Sequence, residues 1–170
     1  MAQKAITVYT PPEASAHIYA EDQAQINRAR IGNGGSGISD ADSILTCTKV
    51  NDNTVRLSSG VYYNQGYDVV VPGGTTEDLS VDSGTAGQYR KDLVVSHFIK
   101  GGGATGDTHI LEVKKGIPAA SLESASDPAL EDDDLSTGGT EREEALYRLT
   151  ISGSTLSAIT RIAPIIGTYA

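Results

Sequence analysis

Asp92-Leu93-Val94-Val95-Ser96-His97-Phe98-Ile99-Lys100 is followed, after a glycine-rich connection, by Thr108-His109-Ile110-Leu111-Glu112-Val113-Lys114-Lys115. Both stretches are rich in β-branched and aromatic residues and contain neither Gly nor Pro, so they predict a β-hairpin. Setting Lys100 opposite Thr108 brings Ile99 against His109 and His97 against Leu111. Alternation then places Leu93, Val95, His97, Ile99, His109, Leu111 and Val113 on one face. In that register His97 and His109 are diagonal neighbours, within reach of one metal ion. The sequence specifies no third ligand, and histidines at the rim of an apolar face or at a subunit contact are the plainer expectation.

The pattern of short strands and polar turns continues on both sides. Ile44 to Val50 and Thr54 to Leu57 flank the turn Asn51-Asp52-Asn53, and Gly60 to Tyr63 and Tyr67 to Val71 flank Asn64-Gln65-Gly66. Pro72-Gly73-Gly74 is expected to end a strand, with Glu77 to Val81 following as another. Leu146 to Ser152 and Thr155 to Ile162 form a last hairpin around Gly153, and Ile6 to Tyr9 reads as a short strand near the N-terminus. The expected fold is mainly β: an antiparallel β-sandwich or partly open barrel with one short N-terminal helix. An arm over residues 1–14 precedes a single module over 15–170.

The helix is expected from Ala20 to Arg30. That stretch lacks Gly and Pro, opens with Glu21 and Asp22 and closes with Arg28 and Arg30, which suits the helix dipole. Its apolar face is thin (Ala20, Ala24, Ile26 and Ala29), so it must pack on a sheet or on a partner chain. These four residues are the candidate oligomer contacts. The string from Gly32 to Gly37 reads as a flexible connector.

The chain has 170 residues, 38% of them hydrophobic, and a net charge of −9. That composition supports a modest folded core rather than disorder. The charge is local: residues 121–144 hold nine acids and one base, and the remainder is nearly neutral. This window is expected to be a solvated acidic loop. Within it, Glu131-Asp132-Asp133-Asp134 lacks the alternating ligand spacing of a calcium loop. No basic cluster is present, which argues against nucleic acid and anionic membranes as partners. No signal core and no window near the ~18 apolar residues of a membrane span occur, so synthesis in the cytoplasm is expected.

Chemistry is sparse. Cys47 is the single cysteine, so no internal disulfide can form, and its strand context predicts a small buried apolar residue. Two strings match Gly-x-Gly-x-x-Gly, at Gly32–Gly37 and Gly101–Gly106, but neither lies between a strand and a helix as a dinucleotide site requires. His17 stands alone before the helix. No catalytic constellation and no cofactor motif is legible, so a non-enzymatic protein without cofactor is expected. Tyr62, Tyr63 and Tyr67 cluster at the Asn64-Gln65-Gly66 turn and are the candidates for contact with a sugar or protein partner.

Several segments together resemble a known family. They are Asn53-Thr54-Val55-Arg56-Leu57-Ser58-Ser59-Gly60 with Asn64-Gln65-Gly66, then Gly84-Thr85-Ala86-Gly87-Gln88-Tyr89-Arg90-Lys91-Asp92-Leu93-Val94-Val95, Val113-Lys114-Lys115-Gly116-Ile117-Pro118 and Leu146-Tyr147-Arg148-Leu149. The opening around His17-Ile18-Tyr19-Ala20-Glu21-Asp22 belongs with them. The resemblance is to a module of tailed bacteriophages and prophages, found in tail, baseplate and receptor-binding structural proteins of Gram-positive gut bacteria. It implies a virion tail protein without an active site, which assembles as a homotrimer with other tail proteins. The alternative is a carbohydrate-binding adhesin module that recognises a bacterial surface glycan through Tyr62, Tyr63 and Tyr67 or through the acidic loop.

Overall fold

The structure, a computed structural model, describes residues 19–101 and 106–167. The expected arm over 1–14, the strand at Ile6–Tyr9, His17 and most of the second glycine string lie outside the described residues. The order of elements is α1 (Ala20–Ile31), β1 (Gly37–Ser39), β2 (Cys47–Asn51), β3 (Thr54–Asn64), β4 (Tyr67–Ser80), β5 (Tyr89–Ile99), β6 (Thr108–Lys114), β7 (Glu141–Ser152), β8 (Thr155–Arg161) and β9 (Ile165–Ile166). The strands form two sheets. In the first, β3 is flanked by β4 along one side and by β2 and β1 along the other, with β9 beyond β1; the second has the order β6-β5-β7-β8. All pairings are antiparallel except β1 with β9. The molecule is thus mainly β, two curled sheets with, among the described residues, a single short α-helix near the N-terminus, as the sequence predicts.

The core lies between the sheets. Ile38, Val55 and Leu57 from the first, with Leu45 just before β2, meet Val94, Leu146, Leu149 and Ile151 from the second, all with 2% exposure or less. A smaller cluster of Ala24, Tyr67, Phe98 and Leu135 seats the helix at one end. Gly66, at φ +90°, lies so close to α1 that a Cβ there would sit 2.1 Å from the Ala24 carbonyl oxygen. Asn27 Nδ2 donates to Gly66 O at 2.8 Å and an Arg28 guanidinium nitrogen to Gln65 O at 2.7 Å. The helix therefore docks on the β3–β4 turn of its own chain. Asp22 Oδ2 accepts the Tyr19 N–H at 3.0 Å and so fixes its start.

Four expectations are corrected. First, the β5–β6 register is one residue away from the expected one: Ile99 faces Thr108, Phe98 faces His109 and His97 faces Ile110. A single-residue slip turns a whole strand over. Val94, Phe98, His109 and Leu111 face the first sheet, and His97 faces outward. Alternation could not choose between the registers because Leu93, Val94, Val95 and Ser96 are all at most 2% exposed.

Second, Pro72-Gly73-Gly74 does not end a strand. Ser58 pairs with Thr76 and Gly60 with Val71, so residues 72–75 bulge out of one continuous β4. The Thr75 hydroxyl closes the bulge on Pro72 O at 2.7 Å. β4 pairs on one side only, where a proline costs no ladder hydrogen bond. Third, the Gly32–Gly37 stretch has a defined conformation. It forms a 3-10 turn at Asn33–Gly35 that meets the β3–β4 turn, and its end enters β1. Fourth, β7 begins at Glu141, inside the acidic window.

Candidate functional site

The two sheets meet along two seams, and these differ. At the β2–β8 seam Lys49 Nζ donates to Leu156 O at 2.9 Å, and Leu156 N donates to Asp52 Oδ1 at 3.0 Å. Polar bonds close that side. At the opposite seam His109 Nδ1 on β6 meets Asp68 O on β4 at 3.1 Å near one end, but among the described residues β4 and β6 form no ladder with each other and each pairs with one neighbour only. A groove of about 340 Å³ opens there, lined by Val69, Val71, Pro72, Thr75 and Leu111 among others. Val70 and Ile110 stand half exposed at its rim. Among the described residues its one charged lining residue is Glu77. Free strand edges beside an apolar groove form a surface to which another strand can add.

The sequence-based contact candidates are placed differently from expectation. Tyr62 is buried and its hydroxyl donates to Glu144 Oε2 at 2.9 Å. Burial, with the Glu144 carboxylate, pushes its phenol far above the ordinary tyrosine range. Tyr67 is buried against Phe98, ring centroids 4.2 Å apart. Tyr63 alone is half-buried. Strand alternation sends Tyr62 inward, and the helix covers Tyr67, so the three do not form an exposed platform. Among the helix candidates, Ala24 is buried against its own chain, Ile26 is half-buried, and Ala20 and Ala29 are exposed.

Cys47 is half-buried, and burial pushes its thiol up to about 12, so it carries almost no thiolate at neutral pH.

The histidines are not brought together. His109 lies on the inner face, edge-on to Phe98 at 5.6 Å. Its Nδ1–H donates to Asp68 O at 3.1 Å, which leaves Nε2 to accept from the Ser96 hydroxyl at 2.7 Å. Burial pushes its pKa down to about 4. Ser96 is fully buried, so this serine–histidine pair has no face for a substrate. It belongs to an internal polar network, in which Asn64 Nδ2 donates to Ser96 O, Ser96 Oγ and Arg142 O.

His97, on the outer face, stands among carboxylates. Its Nδ1 is 2.6 Å from Glu112 Oε1 and its Nε2 is 2.9 Å from Glu141 Oε1. Glu143 Oε1 lies 4.0 Å from Nδ1. Burial opposes charge on the ring, but the bonds to Glu112 and Glu141 and the nearby Glu143 outweigh it and raise the pKa above the ordinary histidine value. The register accounts for this convergence. His97 faces Glu143 on β7, while Glu141 and Glu112 lie two residues along on either side and so share its face. Sequence reasoning missed the cluster because it had turned β6 over. The Glu141-Arg142-Glu143 alternation and the His97/Glu112 parity were the signals that could have revealed it.

The acidic segment is tied down. Its backbone begins beside β5, where Tyr89 and Ala119 exchange hydrogen bonds, and ends beside β7, where Glu143 N donates to Glu131 O at 2.8 Å. Between these points it crosses the outer face of the second sheet. Asp127 holds Arg148 and Asp132 holds Arg142, and Ala125 and Leu135 are buried. The carboxylates of Asp133 and Asp134 accept backbone N–H groups of their own turn, from Thr140 and Glu141 and from Ser136. That satisfies them locally and does not converge them on a cation.

Among the described residues no helix is long and apolar enough to cross a membrane. Comparison with protein-family models, with curated proteins and with solved structures finds no match to this chain.

Proposed function

We propose that this chain is a non-enzymatic structural protein of a bacteriophage or prophage tail or baseplate. It is made in the bacterial cytoplasm and built into the virion as a homotrimer alongside other tail proteins. The tail assignment rests on the segment resemblance set out above. The observation that supports assembly is this seam, with two strand edges unpaired among the described residues, an apolar groove between them and Val70 and Ile110 at its rim. Its occupant is a second copy of this chain. A strand laid along β4 satisfies that strand's outward N–H and C=O groups, and a lining with one charged residue lets like molecules meet without repulsion.

Light scattering on the eluting protein tests this reading. The wild type is expected at three times 17.7 kDa, and Val70→Asp with Ile110→Asp is expected to give a monomer with unchanged β circular dichroism, since each substitution would bury a lone carboxylate at the contact. A monomeric wild type defeats the assembly reading, and a trimer indifferent to both substitutions removes the contact from the seam. Mass spectrometry of purified particles tests the virion assignment. The carbohydrate-binding alternative loses its support at Tyr62 and Tyr67, which are buried.

A further inference from the structure

We infer that His97, Glu112 and Glu143 form a binding site for one divalent transition-metal cation of the zinc class, with Glu141 as the residue that orients the imidazole. The site lies on the outer face of β6, β5 and β7 and is separate from the assembly seam.

Three observations support it. One ligand atom from each of His97, Glu112 and Glu143 lies within 4.8 Å of the others. A zinc-class ion bonded at about 2.0–2.2 Å holds neighbouring ligands roughly 3–3.5 Å apart. The separations of 2.6 and 4.0 Å from Nδ1 to the two carboxylate oxygens bracket that range, so small side-chain rotations suffice.

The second observation is a largely buried ligand side chain with one oxygen turned toward His97. The Glu143 side chain is 4% exposed. Its Oε2 accepts from Lys114 Nζ and, at 2.8 Å, from Glu131 N. Its Oε1 has no donor within hydrogen-bond distance among the described residues, and it points toward His97 Nδ1. Oε1 is therefore available to a cation beside Nδ1, while the bonds to Oε2 hold the carboxylate in place.

The third is the imidazole, both of whose nitrogens face carboxylates. A neutral ring has one N–H and can satisfy one of them. The imidazolium donates to both, and a metal ion that takes Nδ1 displaces that proton while the Nε2–H bond to Glu141 is kept. A carboxylate on the far nitrogen of a ligating histidine is the usual device for fixing its tautomer and aim.

Charge and ligand type fix the class of ion. Around a neutral His97, three carboxylates and the Lys114 ammonium leave two negative charges, which a divalent cation cancels. Imidazole nitrogen suits zinc and its neighbours and is a poor ligand for calcium.

The test is titration of the full chain, first stripped with chelator, with zinc chloride at neutral pH. Saturable binding of one equivalent is expected, with a rise in melting temperature. His97→Gln and the half-exposed Glu112→Gln should each weaken binding at least tenfold, and Glu141→Gln about tenfold. His109→Gln, on the opposite face, should leave it unchanged. Glu112→Gln keeps the test decisive if His97→Gln fails to fold. Absence of saturable zinc binding overturns the inference. So does zinc binding that survives both His97→Gln and Glu112→Gln, and equal stabilisation by calcium overturns the class of ion.

Discussion

His109 shows how one register step changes the chemistry of a side chain. On the inner face it is held neutral, and burial takes its pKa down to about 4, against about 6.5 in an unfolded chain. Between those values the unfolded state holds more protons than the folded one, so stability rises with pH across the window. His109 therefore contributes in full above pH 6.5. The contribution is lost progressively as pH falls toward 4 and changes no further below that. Urea unfolding at pH 7 and pH 4.5 should show a loss of roughly 2 kcal/mol that His109→Gln largely abolishes. The difference between wild type and variant isolates this residue from His97, whose raised pKa acts with the opposite sign. An identical pH slope in the two proteins would mean that His109 is not buried neutral. The sequence places His109 in a strand, but its face depends on a pairing that no local property of the residue sets.

At the scale of elements, the legible parts are those governed by local chemistry. The helix is observed at Ala20–Ile31 against an expected Ala20 to Arg30, because its acidic start and basic end are written in neighbouring residues. The turns at Asn51–Asn53 and Asn64–Gly66 are where Asn and Gly place them. The illegible parts depend on partners distant in sequence. Pro72 interrupts nothing because β4 is an edge among the described residues: β6 touches it at Asp68 through His109 but forms no ladder with it. The Gly32–Gly37 stretch has a defined conformation because it meets the turn at Gln65–Gly66: a Cβ on Gly35 would lie 2.4 Å from Arg28 Cγ and 2.9 Å from Gly66 N. The docking of α1 makes Gly66 the sensitive position. Gly66→Ala combines a positive φ with a Cβ 2.1 Å from the Ala24 carbonyl oxygen, so the helix must lift. We expect a loss of about 2–3 kcal/mol, with hydrogen exchange accelerated in Ala20–Ile31 while β5 and β7 stay protected. Unchanged protection in the helix would show that it is not held by this contact.

For the whole molecule, the decisive feature is the segment that carries almost all of the net charge. As a sequence, residues 121–144 have the composition of a solvated loop, and Glu131, Asp132, Asp133 and Asp134 are indeed exposed. The backbone beneath them is nevertheless part of the fold. It is hydrogen-bonded to β5 at one end and β7 at the other, pinned by Asp127 on Arg148 and Asp132 on Arg142, and anchored by Leu135 in the cluster that seats the helix. Each exposed ion pair is worth at most about 1 kcal/mol. Buried Leu135 and Ala125, together with the backbone pairing, supply the larger share. A glutamate-specific protease distinguishes a strap from a loop. A solvated loop with Glu123 and Glu131 exposed would be cut within minutes while the β body survived. A strap should be cut only when the molecule opens, so cleavage should follow the global unfolding free energy and accelerate together with loss of the whole fold in low urea. Leu135→Ala removes the apolar anchor and leaves every acid in place. It should destabilise the fold by about 2–3 kcal/mol and bring cleavage at Glu131 forward. Fast cleavage of the wild type at Glu123 and Glu131, with the two sheets intact afterwards, would mean that the acidic segment merely lies on the second sheet and does not hold it.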